Sequence, residues 1–301
     1  MIRERRPRRL RRMVLDLAWF LPAAALLAIF VVYPVIRTIG LSFFHKSLVT
    51  GFVSEFAGLA NFVRALTDSR FIASLWITFL FTAISVALEF GLGLLLAISS
   101  ESIRKAQSVV RVILLIPWTL PTAVIAVLWA WMLNDQYGGV NAVLLRLGVI
   151  DSGVTWLGKP ATAMMAIVFA DVWKTTPFVF LILLAGLQNI PRELYDAIEI
   201  DGGGTWAKLR YVMWPHLLPF TFVALIFRIV QAFAVFDLVW VMTGGGPGGS
   251  TETVSIYTYR TYMRYLDFGY GAALAITTVV VLGVIAAVLY RAVVAKYEKA
   301  F

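Results

Sequence analysis

Six stretches of this chain are each long and apolar enough to cross a lipid bilayer: about residues 15–37, 71–98, 107–133, 161–188, 217–242 and 269–294. A helix needs roughly 20 apolar residues to span the hydrocarbon. Lipid offers no partner for a free N–H or C=O, so each such segment must satisfy its backbone internally. Composition agrees, with 60% hydrophobic residues, 14% charged residues and a mean hydropathy of +0.85. A soluble domain carries about half and a quarter. The expected fold class is all-α integral membrane, with six transmembrane helices. The first stretch exceeds the roughly 7–15 apolar residues of a cleaved signal, and further spans follow, so it reads as a retained helix.

An even number of spans places both termini on one side. Arg3, Arg5, Arg6, Arg8, Arg9, Arg11 and Arg12 precede the first span. Arg104, Lys105 and Arg111 lie at the second connection, Arg192, Lys208 and Arg210 at the fourth, and Arg291, Lys296 and Lys299 at the end. The opposite side holds Lys46, Arg64, Arg70, Arg146, Lys159, Arg260 and Arg264. Excess basic residues mark the cytoplasmic side, so both termini and the 191–215 connection are expected there. The domain expectation is a basic tail at 1–14, a six-helix domain at 15–294 and a short tail at 295–301. The net charge of +9 is thereby read as a membrane anchor and not as a nucleic-acid surface. Pro34, Pro117, Pro121 and Pro177 are expected to interrupt their spans, which a packed bundle tolerates.

Several chemistries find no residues. With no cysteine, disulfides and thiolate metal sites are excluded. The one Gly-Lys pair, Gly158-Lys159, is followed by Pro160, so no phosphate-cradling P-loop is present. His45 and His216 are too far apart in sequence for a zinc helix motif, and no G-x-S-x-G elbow occurs. The glycine-rich TGGGPGGST at 243–251 reads as a flexible external turn. No metal or cofactor is expected on this chain.

One polar element stands between two apolar runs: DAIEIDGGGTW, Asp196 to Trp206. Pro191 suits a first helical turn, and Glu193 and Asp196 follow near the positive helix end. Leu194, Ala197, Ile198 and Asp201 fall at spacings of three and four, giving one apolar side. Gly202, Gly203 and Gly204 end the helix. A second amphipathic piece begins at Trp206 and is expected to close at Pro215 and Pro219. The pair is either an interfacial helix packed on its own bundle or a knob for another protein, with small residues permitting close approach.

Ionisable groups inside spans face the bundle interior or a cavity. Asp171, Lys174, Thr175 and Phe178 share one helical face, and Arg228, Gln231, Ala232 and Val235 repeat that spacing. Two such faces could line a pathway, with charged and amide groups for hydroxyls and Phe178 for the apolar face of a sugar ring. Alternatively, Asp171, Lys174 and Arg228 pair with one another or with Glu89 and hold the bundle together.

The stretch ELYDAIEIDGGGTWAKLRYVMWPHLLP resembles the cytoplasmic signature of membrane subunits of binding-protein-dependent ABC importers, E-A-A-x-x-x-G followed by I-x-L-P. Asp196 stands at the Glu position, with Ala197 and Ile198 at the two alanines. Asp201-Gly202 matches the following pair, and Val212-Met213-Trp214-Pro215 stands for I-x-L-P. FDLVWVMTGGGPGGSTETVSIYTY and FGYGAALA resemble the F-type subunit of maltose-type importers, and VWKTTPF resembles trehalose importers. The resemblance implies a type I importer permease fold in a bacterial or archaeal cytoplasmic membrane. It implies that Glu193, Asp196, Ala197, Ile198, Asp201, Gly202 and Gly203 couple to an ATPase. The eight intramembrane positions above become sugar-pathway residues. Implied partners are a second permease, two ATPase subunits carrying ATP and magnesium, and an extracytoplasmic sugar-binding protein. Rival readings are a glycerol-phosphate-type cargo on the same fold, an ion-coupled transporter, and an intramembrane enzyme, for which no acid–base or metal cluster is found.

Overall fold

In a computed structural model of the chain, residues 19–102 and 107–297 are described. The basic tail at 1–14, Arg104, Lys105 and the last residues of the C-terminal tail lie outside the described residues. Helices dominate. In chain order they begin with α1 Trp19–Ser42, followed by a two-residue pairing of β1 Phe44–His45 with β2 Glu55–Phe56. Then come α2 Ala60–Thr67, α3 Ser69–Ser102, α4 Gln107–Thr119, α5 Thr122–Met132, α6 Gly139–Arg146 and α7 Pro160–Gln188. The chain ends with α8 Arg192–Ile200, α9 Thr205–Phe233, α10 Asp237–Met242, α11 Val254–Tyr259 and α12 Phe268–Tyr297.

Among the described residues five helices, α1, α3, α7, α9 and α12, are each long and apolar enough to span a membrane. The third expected span is not continuous: α4 and α5 meet at an angle of 94°. Its cause is local. Pro117 lies within α4, and Pro121 caps α5 with an extended ψ of 137°. A proline also drives its preceding residue out of the helical region, which ends α4 at Thr119. Pro34 and Pro177, by contrast, sit inside unbroken α1 and α7. The second amphipathic piece does not close at Pro215 and Pro219 either. It continues as α9 from Thr205 to Phe233, through a wide π-helical turn at Lys208–Met213. The expected fifth span therefore starts earlier, and its last residues form the separate α10.

The described residues fall into two compact units. One comprises residues up to Thr67 together with Thr258–Thr277. There the strands pair antiparallel, Phe44 with Phe56 and His45 with Glu55. Buried Asn61 donates to the carbonyls of Ser42 and Phe44, each at 3.0 Å, satisfying backbone that leaves α1. Arg64 pairs with Asp267 at 2.8 Å and lies 3.7 Å above the Tyr270 ring.

The other unit comprises Asp68–Tyr257 and the residues from Thr278 on. Asp68 accepts from the backbone N–H groups of Arg70 and Phe71, at 2.9 and 3.3 Å. This is an N-cap contact that satisfies the first turn of α3. α7 is the most enclosed long helix, burying sixteen residues. Around it sit two apolar clusters. One is built on Phe81, Ile125, Ile167 and Leu238, the other on Phe180, Leu183, Leu187 and Leu217. Between helices in lipid there is no hydrophobic drive, so small residues that allow close packing substitute for it. Gly93 of α3 is such a residue. A Cβ there would lie 2.9 Å from Val179 Cγ1 and 3.1 Å from the Phe180 nitrogen. That approach brings the helix turn carrying Glu89 against α7.

Candidate functional site

The spacing argument places Asp171 and Thr175 one turn apart on α7, and Arg228 and Gln231 one turn apart on α9. The structure brings all four together and adds Glu89 from α3. Arg228 donates from Nε to Glu89 Oε2 at 2.5 Å and from Nη2 to Glu89 Oε1 at 2.8 Å. Nη2 also donates to Asp171 Oδ2 at 3.0 Å, and Nη1 to Gln231 Oε1 at 3.0 Å. Four of the five guanidinium N–H groups are thus used. Thr175 Oγ1 lies 2.7 Å from Glu89 Oε1 and 2.6 Å from the Asp171 carbonyl, so its single proton is shared. Glu89 is 0% exposed and Arg228 2%. Charges at that depth persist only when paired and hydrogen-bonded, and this cluster meets the condition. The pairing with Glu89 is the structural alternative weighed from the sequence. It joins three helices across separations of 139 and 57 residues.

The remaining positions divide. Lys174 is half-buried, and among the described residues no carboxylate lies within ion-pair distance of it. Ala232 is buried in an apolar cluster, and Val235 packs against the same cluster beyond the end of α9. Phe178 stacks on Trp118 with ring centroids 5.9 Å apart and meets Phe227 at 6.1 Å. Trp118 thus belongs to an aromatic group next to the polar cluster. Gln231 is exposed, as is its neighbour Phe227. Sequence reasoning missed one further feature. Ser74, Thr78, Thr82, Ser85 and Glu89 are all buried and recur at three- and four-residue spacing, one polar stripe down α3. That periodicity is visible in the sequence.

The acidic element forms a helix whose end is fixed by backbone geometry. The Gly203 N–H donates to the Ile198 carbonyl at 2.8 Å and the Gly202 N–H to that of Glu199 at 3.1 Å. With Gly202 at φ +77°, this is a Schellman closure, which requires a left-handed residue. Gly202 meets that requirement without strain. Pro191 stands just before the helix with an extended ψ of 139°, not in its first turn. Tyr195 and Ile198 pack on the bundle, whereas Leu194, Ala197 and Ile200 face outward with Glu193, Asp196 and Asp201. The apolar side predicted from Leu194, Ala197 and Ile198 is therefore split. One part anchors the helix, and the other is left on the surface with Trp206 and Tyr211, which are 70% and 67% exposed. Lys208 pairs with Glu199 across the turn.

The TGGGP segment is not a loose turn. Gly244 and Gly245 take φ values of +58° and +90°. The hydroxyls of Thr243 and Thr251 bond at 2.8 Å, and Thr251 donates to the Gly246 carbonyl at 2.7 Å. Beyond it, buried Glu252 receives a bidentate pair from Arg70 at 2.7 and 2.9 Å. Among the described residues no group of three or more histidine and carboxylate side chains is placed to hold a metal.

Comparison with known proteins adds to this geometry. Residues 89–299 match the family described as binding-protein-dependent transport system inner membrane component. The chain is 43% identical over 262 residues to the trehalose/maltose transport system permease protein MalF of Thermococcus litoralis, covering 86% of this chain and 87% of that one. It is 42% identical over 255 residues to the sulfoquinovosyl glycerol transport system permease protein SmoG of Agrobacterium fabrum, covering 85% and 82%. Its fold is similar to a chain of a bacterial ABC transporter involved in import of the acidic polysaccharide alginate, with a TM-score of 0.82, 23% identity, and 96% and 98% of the two chains covered.

Proposed function

Because the chain belongs to the family of inner-membrane components of binding-protein-dependent transport systems, we propose that it forms half of the translocation pathway of an ATP-driven importer for a di- or oligosaccharide. It is a multi-pass permease and not an enzyme. The observation that carries the cargo class is the similarity, over most of both chains, to permeases named for trehalose/maltose and sulfoquinovosyl glycerol transport. The second half of the pathway is a related permease. Asp171, Lys174, Thr175, Phe178, Arg228, Gln231, Ala232 and Val235 lie along it. Within that set the roles differ: Gln231, Phe178 and Lys174 meet the cargo, Arg228 holds Gln231, Asp171 and Thr175 complete the buried cluster behind it, and Ala232 and Val235 belong to the apolar packing beside it.

ATP and magnesium belong to separate ATPase subunits on the cytoplasmic side. The outward apolar and acidic side chains of α8, with the turn at Gly202 and Gly203, are the surface those subunits grip within the 191–215 loop. A soluble binding protein delivers cargo from outside. Half-buried Lys174, without a carboxylate partner, favours as second reading a glycerol-linked cargo carrying negative charge.

The test is uptake of trehalose, maltose and sulfoquinovosyl glycerol by cells expressing the complete importer, with and without its ATPase gene. Uptake of one of them that vanishes with the ATPase is expected. Uptake that survives the deletion would identify an ion-coupled transporter and sink the proposal.

A further inference from the structure

Arg228 has only donors, so the atom of Gln231 that meets its Nη1 at 3.0 Å must be the amide oxygen. The oxygen is thereby turned inward, toward the buried ion pairs, and the NH₂ group outward. Gln231 Nε2 makes no hydrogen bond to any described residue, and the residue is exposed. An amide NH₂ facing hydrocarbon would forgo its hydrogen bonds at a cost that native structures avoid, so this face meets a polar occupant. Phe227, also exposed and in ring contact with Phe178, provides an apolar surface beside it.

We infer that Arg228 is a positioning residue that fixes the polarity of Gln231, so that this point of the pathway presents a hydrogen-bond donor and reads an acceptor oxygen of the passing sugar. An unrestrained glutamine could present either end of its amide to a hydroxyl. Here the guanidinium removes that choice, because Glu89 and Asp171 hold it in place through three further hydrogen bonds. The consequence is selectivity for cargo bearing a ring, glycosidic or carboxylate-like oxygen at that position. A hydroxyl is accepted only when its oxygen takes the proton. The inference rests on the sugar-importer reading and sharpens it to one atom.

Three substitutions separate its parts in the assembled importer, assayed by uptake of trehalose, maltose and sulfoquinovosyl glycerol and by thermal stability of the purified complex. Gln231→Glu keeps an oxygen for Arg228 but presents no donor. It adds a carboxylate to a cluster that already holds two, so the melting temperature should fall, though less than in Gln231→Met, and KM should rise about tenfold, the worth of one hydrogen bond, with kcat within twofold. Gln231→Met removes both contacts, so KM should rise as far while the complex becomes less stable still. Arg228→Lys keeps the charge but not the fork, and its KM should rise together with altered preference among the three sugars. An unchanged KM in Gln231→Glu overturns the inference. So does a loss of stability in that variant equal to that of Gln231→Met. Failure of Gln231→Glu to assemble with the second permease would show that the amide donates to that subunit instead, which also overturns it. A wild-type complex that takes up none of the three sugars removes the importer reading for this cargo class, and the inference with it.

Discussion

Replacing Arg228 with methionine removes four hydrogen bonds and, among the described residues, the one cation paired with Glu89 and Asp171. Glu89 is fully buried and Asp171 nearly so. Breaking a buried ion pair by deleting one partner costs roughly 3–5 kcal/mol, because the charge left behind is uncompensated. Two carboxylates are left here, which puts the expected cost at the upper end of that range. For a domain of 150–250 residues that corresponds to a fall in melting temperature of about 10 °C or more, read by heating the purified complex and following its monodisperse peak. The mechanism makes a second, sharper demand. Adding Glu89→Gln to Arg228→Met removes one stranded charge, so the double variant should recover about 1–3 kcal/mol of the loss. If Arg228→Met melts within 2 °C of wild type, or if the double variant is no better than the single, the cluster is not a buried clamp.

Three further outcomes follow from other contacts. Gly202→Val forces a β-branched residue into the left-handed region, where open space offers no clash but the backbone costs about 1–2 kcal/mol. Co-purification of ATPase subunits should fall at least tenfold while the transmembrane part stays folded, as judged by its elution and helicity. Gly93→Leu overpacks the closest approach of α3 to α7 and should destabilise by about 1–3 kcal/mol, measured by the same melting assay. Arg70→Ala removes the bidentate pair given to Glu252, 4% exposed at its side chain, so it should lower the melting temperature more than Glu252→Gln, which keeps an amide oxygen for Arg70 and leaves its contact with the Tyr257 ring.

Much of the architecture is legible in the residues because lipid imposes its rules locally. Apolar length gives the spans. The spacing of Asp171, Thr175, Arg228 and Gln231 gives two helical faces that do meet. The glycine run gives the end of α8. What the chain hides is non-local. Pro117 and Pro121 stand four apart, as do Pro215 and Pro219, yet the first pair breaks its helix by 94° and the second does not. The difference lies in what packs on the backbone. Gly186 of α7 sits so close to Leu217 and Phe220 that a Cβ there would approach both to 2.8 Å, and α9 is supported through its prolines. Burial of Arg228 requires a carboxylate, and the spans offer Asp171 and Glu89, but only the fold shows that both pair with the one guanidinium. The glycines of TGGGP read as looseness because each lacks a side chain, while the order there comes from Thr243 and Thr251, eight residues apart.

One property of α9 has a mechanical side. From Trp206 to Gln231 the helix is unbroken, so the exposed turn after α8 and the Arg228 cluster are two ends of one rod about 37 Å long at 1.5 Å per residue. A tilt of about 10° applied at Trp206, about a fulcrum there, displaces the far end by about 6 Å, twice the length of any hydrogen bond in the cluster. The rod cannot swing that far with Glu89 and Asp171 both attached to Arg228. The ion pairs are therefore a catch on a lever. A displacement of α9 of that size relative to α3 and α7 would break the pairs that fix Arg228, and with them the support for its 3.0 Å bond to Gln231.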